Sequence, residues 1–221
     1  MSAEELQKKT RAEQTKEQIR KTFFCLMRKK PWDKISVKEL CTETSITRGT
    51  FYNYFNDIYD LMESVQDPLI EELEQMMDHI VLKNYRSVSP EDFFLKFDYH
   101  PPECFQVWFH FCTKHKEELV SLLDRRFGSQ HFLYCVRKIL EKSLHALMDS
   151  EKLPRDDMRT YFVSVLVTMH FELARIWVDN RTDLSKYSEQ DMTHILNAIR
   201  IGSAFKDARQ CFDAKRAGTA T

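Results

Sequence analysis

Arg48 and Thr50 lie two residues apart within SITRGTFYNYFNDIYDL (residues 45–61), accompanied by the hydroxyl-bearing Thr47, Tyr52 and Tyr54. An arginine fork can donate two hydrogen bonds to the O6 and N7 of a guanine, and a threonine can meet a base edge or a thymine methyl. Hydroxyls such as those of Thr47, Tyr52 and Tyr54 suit phosphate oxygens, and Lys38, ten residues before Arg48, adds a positive charge. Gly49 is a poor helix residue, and it makes sense where a side chain would collide with a nucleic acid. Of the five aromatic residues in this stretch, Phe51 and Phe55 are four apart and are placed to pack beneath the surface. A plain core would not need so many phenolic hydroxyls, each wanting a partner if buried, so Tyr52 and Tyr54 are read as surface groups.

A second constellation is HFCTKH, with His110, Cys112 and His115, followed by His131 and Cys135 four apart. Metal binding would need these groups to converge. Positions two and five residues on from the first lie about 200 and 500 degrees round a helix, so the triplet shares no face unless the helix breaks near Thr113. Buried histidines and inert thiols are the plainer reading, and no metal site is expected. The chain contains no HExxH, GxSxG or phosphate-loop pattern, which argues against an enzyme.

The elements that must position Arg48 and its neighbours follow from periodicity. Between Thr15 and Lys29, Ile19, Phe23, Leu26 and Met27 recur on one helical face, and Pro31 ends the pattern. Ser36 followed by Glu39 three residues later has the form of a capping box and opens a helix of about two turns. Thr47 is a cap for a third short helix over 48–54. Two short helices laid over a longer one, joined by a tight turn, predict a helix-turn-helix. A long helix from Asp57 to Leu82 follows, with Pro68 inside it; it would act as a strut joining the first part to the rest. Further helices are predicted at 103–113, 115–125, 130–149, 157–178 and 189–211.

Composition bounds the remainder. The 221 residues include only four glycines and six prolines, which favours an all-α protein over an all-β one. No run of 18 apolar residues is present and the N-terminus is polar, so the expectation is a cytoplasmic protein with neither membrane span nor signal peptide. Its six cysteines are scattered through apolar patterns and are read as reduced thiols. The net charge of −1 conceals a sharp step. Residues 1–50 carry twelve Lys and Arg against seven Asp and Glu, whereas residues 51–80 carry eight acids and no Lys or Arg. Such a basic end is what a phosphate backbone selects.

ISVKELCTETSITRGTFYNYFNDIYDLME (residues 35–63), with Phe23, the run Gly49 to Tyr52 and the pair Tyr54 and Phe55, closely resembles the DNA-binding signature of the TetR family of bacterial transcription regulators. The resemblance covers residues 15–65. It implies that Arg48, Gly49, Thr50, Tyr52 and Asn53 face the major groove and that Thr47 and Tyr54 hold phosphates. One departure is Ile58, where the family usually has a Lys at the start of the fourth helix. Backbone N–H groups there are expected to bind the phosphate with less affinity and less salt dependence. ARIWVDNRTDLSKYSEQDMTHILNAI resembles a subgroup of the family whose penultimate helix ends in a Trp before a polar turn and a last helix.

The second part is rich in bulky aromatics and is read as enclosing an apolar pocket. Its candidate lining is Phe94, Phe97, Tyr99, Trp108, Phe109, Cys112, Tyr134, Phe162, Met169, His170 and Phe171, many of which would be core. The last two helices carry Phe162, Leu166, Met169, Leu173, Ile176, Ile195, Leu196, Ile199 and Phe205 on more than one side, as a twofold four-helix interface requires.

The resulting expectation is an N-terminal three-helix DNA-binding domain followed by a helical ligand-binding and dimerisation domain. Its boundaries would be a flexible basic arm at 1–14, the DNA-binding domain at 15–60, the effector and dimer domain at 61–211, and a tail at 212–221. The function implied is repression: a homodimer on palindromic double-stranded DNA, responsive to a small apolar or aromatic effector, with no cofactor and no membrane association. The rival is a DNA-binding regulator whose second domain docks a protein partner.

Overall fold

The computed structural model describes residues 3–84, 103–150, 154–179 and 186–201; the side chains of 3–10, 81–84, 150 and 199–201 lie outside the description. Among the described residues, regular structure is helical throughout. Two compact units are present, one formed by Met1–Glu71 with Glu117–Leu133, the other by Glu72–Lys116 with Tyr134–Thr221.

In the first unit, α1 runs Ala3–Met27 and buries Ile19, Phe23, Leu26 and Met27, the face expected from their spacing. The helix starts at Ala3, so residues 3–14 belong to α1. They contain no Gly or Pro, and apart from Thr10 they are Ala, Leu, Glu, Gln, Lys and Arg, all good helix formers. Beyond Met27 the chain turns through Pro31 into a 3-10 turn, Trp32–Lys34, with the ring of Tyr59 edge-on to Trp32 at 5.1 Å.

Next come α2 (Val37–Thr44) and α3 (Arg48–Tyr52). The Ser36 hydroxyl accepts from the Glu39 N–H at 3.2 Å, one half of a capping box. The Glu39 carboxylate turns to Lys30 and is held below the usual carboxylate range by that hydrogen bond. Ser45 ends α2 in the left-handed region, φ 58 and ψ 39, its N–H returning to Thr42 O at 3.2 Å. It is the only non-glycine with positive φ among the described residues, and a Cβ is disfavoured there. Ser45→Gly is therefore expected to raise unfolding stability by about 0.5–1 kcal/mol. A urea midpoint unchanged or lowered would show that the serine side chain contributes more than the backbone costs.

The long α4 (Ile58–Asn84) supplies residues to both units. Pro68 inside it has no N–H for the Ser64 carbonyl one turn back; Arg20 of α1 donates to that oxygen at 3.3 Å. The first unit is completed by α6 (Lys116–Leu122) and the start of α7 (Gln130–Ser150). The buried Ser129 hydroxyl donates to Gln66 Oε1 at 2.8 Å, and the Ser121 hydroxyl donates to Phe24 O at 3.2 Å. Helix α6 stops at Leu122, short of 125, because the following segment coils on the Asp124 carboxylate, which accepts from Arg126 N and Phe127 N at 2.8 and 3.0 Å. A Cβ on Gly128 would lie 2.5 Å from two carbonyl oxygens, so only glycine fits this coil.

In the second unit, α5 (Glu103–Lys114) packs against α8 (Asp157–Val178) and α9 (Glu189–Ile201), which also touch each other. Phe105, Trp108, Phe109, Phe111 and Cys112 of α5 are all fully buried. Trp108 Nε1 donates to His170 O at 3.2 Å, and its ring meets Phe111 at 6.1 Å and Phe171 at 5.9 Å. Trp177 packs edge-on to Phe109 at 5.6 Å, and its indole N–H donates to Tyr187 O at 2.9 Å, fastening the end of α8 to the residues before α9. The buried Arg159 reaches Asp149 at 2.8 Å, and hydrogen bonds from Arg155 and Arg159 hold that carboxyl well below the usual range. By length and composition, α8 alone among the described helices is long and apolar enough to cross a membrane, yet it buries Arg159 and His170. That pattern is ordinary for the central helix of a bundle.

Candidate nucleic-acid interface

The short helix α3 is held from below and presented above. Phe51 and Phe55 are 0 and 4 % exposed, ring to ring at 5.7 Å, and anchor it in the core of the first unit. On its outer side Arg48, Tyr52 and Asn53 are exposed, Thr50 and Tyr54 half-buried, while Lys38 is exposed on the neighbouring α2. The division between buried phenylalanines and accessible tyrosines is the one expected from the phenolic hydroxyls.

Thr47 caps α3 by accepting from the Thr50 N–H at 3.0 Å, and the two threonine hydroxyls lie 2.9 Å apart. The pair is mutually oriented before any ligand arrives. The helix ends at Tyr52, two residues earlier than expected, because the Tyr54 N–H bonds to Phe51 O at 2.9 Å and tightens the last turn. A Cβ on Gly49 would meet only Thr47 Oγ1, at 3.7 Å, an ordinary contact. Nothing inside the described protein requires glycine at this position.

The N-terminus of α4 differs from expectation. Ile58 is buried at 7 % exposure and presents no surface group. The Asp57 carboxylate accepts from the Asp60 N–H at 2.8 Å, and Asp60 accepts from both the backbone and side-chain amides of Asn56, at 2.7 and 2.9 Å. The first turn of α4 thus uses the Asp60 N–H internally and carries two carboxylates, which disfavour an anion there.

Sequence reasoning missed Lys16 of α1, whose ammonium lies 5.7 Å from the centroid of the Tyr54 ring. Its position on the first helix was legible, but its approach to Tyr54 depends on how α1 crosses α3.

The other candidate groups separate. Trp108, Phe109, Cys112 and His170 are all buried, whereas Phe162, Met169 and Phe171 are half-buried. Tyr134 is 60 % exposed and is removed from the lining, since a strongly exposed ring cannot wall an enclosed pocket. Phe94, Phe97 and Tyr99 lie outside the described residues. Leu166 and Leu196 are 4 and 0 % exposed within the single chain, so they belong to its own core and not to a dimer surface. Leu173, Ile176 and Ile195 are half-buried; Phe205 and the side chain of Ile199 lie outside the description.

The histidine and cysteine constellation does not converge. His110 faces Glu189 at 3.4 Å, His115 faces Glu72 at 3.1 Å, and the Cys112 thiol is buried, with burial first and Glu189 second pushing it up. Among the described residues no three His, Cys, Asp or Glu side chains form a metal-ligating group.

No family model matches the chain, and no curated protein is similar to it. Solved structures are similar. The fatty acid degradation regulator FadR from Bacillus halodurans superposes with a TM-score of 0.54 at 16 % identity, covering 86 % of this chain and 96 % of that one. A TetR transcriptional regulator from Streptococcus agalactiae 2603V gives 0.51 at 19 % identity, covering 88 and 98 %. The transcriptional regulator FadR from Bacillus subtilis, in complex with stearoyl-CoA, gives 0.52 at 15 %, covering 84 and 97 %. With a capped helix-turn-helix at one end and an aromatic helical bundle following it, the chain has the fold of the TetR-type transcription regulators.

Proposed function

We propose that the chain is a cytoplasmic, DNA-binding transcription regulator that acts as a homodimer on palindromic duplex DNA and represses until a small apolar or aromatic effector binds. The observation that carries this reading is α3: a helix with a buried Phe51 and Phe55 base, exposed Arg48, Tyr52 and Asn53, and a glycine that the protein itself does not need. A bare backbone at Gly49 is useful where another surface must come close. Arg48 would read a guanine in the major groove, while Thr47 and Tyr54 hold phosphates.

Support for a second copy comes from α8, where Tyr161 and Val165 are 72 and 52 % exposed next to half-buried Phe162 and Met169. Pairing such faces across a twofold would place two α3 helices on half-sites about 34 Å, or a multiple of it, apart. The effector reading draws on the aromatic interior of the second unit and on the stearoyl-CoA bound by the Bacillus subtilis neighbour, whose acyl part is apolar. An effector can change DNA affinity only by preferring one of two arrangements of the dimer, and α4, which contributes to both units, is the candidate lever.

The test begins with selection of bound sites from a random duplex pool. On the selected site, Arg48→Ala should cost about 1–3 kcal/mol and flatten discrimination at one position per half-site. Gly49→Ala should leave the fold intact, or stabilise it by about 0.5–1 kcal/mol, while sharply weakening DNA binding. Equal losses on selected and scrambled DNA for the Arg48 variant, or full affinity in the Gly49 variant, would reject α3 as the reading element.

A further inference from the structure

We infer that Lys16 of α1 is a phosphate-gripping cation of the DNA interface, acting beside the Tyr54 hydroxyl; the inference rests on the proposal that α3 binds DNA. Several cations of the first unit already face a partner within it. Lys21 lies 3.7 Å from Glu17, Lys34 lies 3.3 Å from Asp33, Lys30 pairs with Glu39, and Arg20 donates to the Ser64 carbonyl. Lys16 is exposed, and among the described residues no carboxylate stands within ion-pair distance of it.

Its geometry is directed. The ammonium lies over the Tyr54 ring at 5.7 Å from the centroid, near enough for the ring's negative face to steer the charge without neutralising it. Tyr54 closes the turn after α3, and the chain then enters α4 through Asp57 and Asp60, whose carboxylates occupy that helix start. The first turn of α4 carries these carboxylates and the buried Ile58, and supplies no cation of its own. Lys16, delivered from a different helix, brings a positive charge over the ring that carries the hydroxyl. A lysine suits this role because it needs only a point charge, not a planar fork.

The experiment uses the full chain and a mixed-sequence duplex, which reports phosphate contacts without requiring a cognate site. Affinity is measured for wild type, Lys16→Met and Lys16→Arg across a series of salt concentrations. Lys16→Met keeps the stem and removes the charge; it should weaken binding about three- to ten-fold at low salt and lower the salt slope by about 1 per chain engaged. Lys16→Arg should restore both. A Lys16→Met slope equal to that of wild type, with or without a loss of affinity, would overturn the assignment and leave Lys16 as a support for the Tyr54 ring. Failure of the wild type to bind duplex at low salt would overturn this assignment together with the DNA-binding proposal.

Discussion

Trp108→Ala should lower the unfolding free energy by about 3–5 kcal/mol, a large share of the roughly 5–15 kcal/mol available to a domain. The indole is fully buried, and removing it leaves a cavity among Phe111, His170 and Phe171 that rigid neighbouring helices cannot close. It also deprives the His170 carbonyl of its indole donor at 3.2 Å. Trp108→Phe separates the two effects: it keeps much of the ring and loses the donor, so a cost of about 1–2 kcal/mol is expected. Urea unfolding at fixed protein concentration measures both, since association would otherwise shift the midpoint. A cost below about 1 kcal/mol for the alanine variant would mean that α5 and α8 are not held by this cluster.

Acidification should destabilise the second unit through His170. Burial lowers its pKa from 6.5 to about 4, against the smaller opposing effect of its hydrogen bond to Leu166. At 2.6 Å, Nδ1 carries the proton and donates to the Leu166 carbonyl, and the Phe105 ring stands edge-on at 4.7 Å. Because the folded pKa lies below the unfolded one, the unfolded chain takes up a proton that the native state refuses. The stabilisation is complete above pH 6.5 and is lost as pH falls towards 4. The full loss is roughly 3 kcal/mol, of which about 2 kcal/mol is gone by pH 5, before most carboxylates titrate. His145, lowered by burial and then by Arg159, acts in the same direction, so the comparison is made with His170→Asn, which can still donate to Leu166 O. Stability profiles from pH 7.5 to 5 that are parallel in the two proteins would reject a neutral buried His170.

The helix-turn-helix was legible in the sequence because its determinants are local. Ser36 and Thr47 bond to amides three residues on, and the spacing of Ile19, Phe23, Leu26 and Met27 is itself the buried face of α1. The helix predicted at 157–178 coincides with α8, since Asp156 caps one end and apolar residues fill the length between. Which aromatics line, fill or leave the interior could not be read in this way. Tyr134 and Phe132 are two apart on one helix, yet one is 60 % exposed and the other fully buried, a difference set by what packs against each side. Leu166 and Leu196 had the composition of an interface and belong to the chain's own core, because α8 meets α5 and α9 before it could meet a second copy.

The same division holds around α3. Composition and spacing determined that α3 would carry donors above and phenylalanines below. Only the tertiary structure decided that Asp57 and Asp60 close the start of α4, that Arg20 answers the carbonyl left by Pro68, and that Lys16 rests on Tyr54. Caps and helical faces are set within one or two turns of chain, where the sequence states the distance between groups. The approach of α1 to Ser64 and Tyr54 joins residues 44 and 38 positions apart, and it is set by how large side chains fill the space between helices.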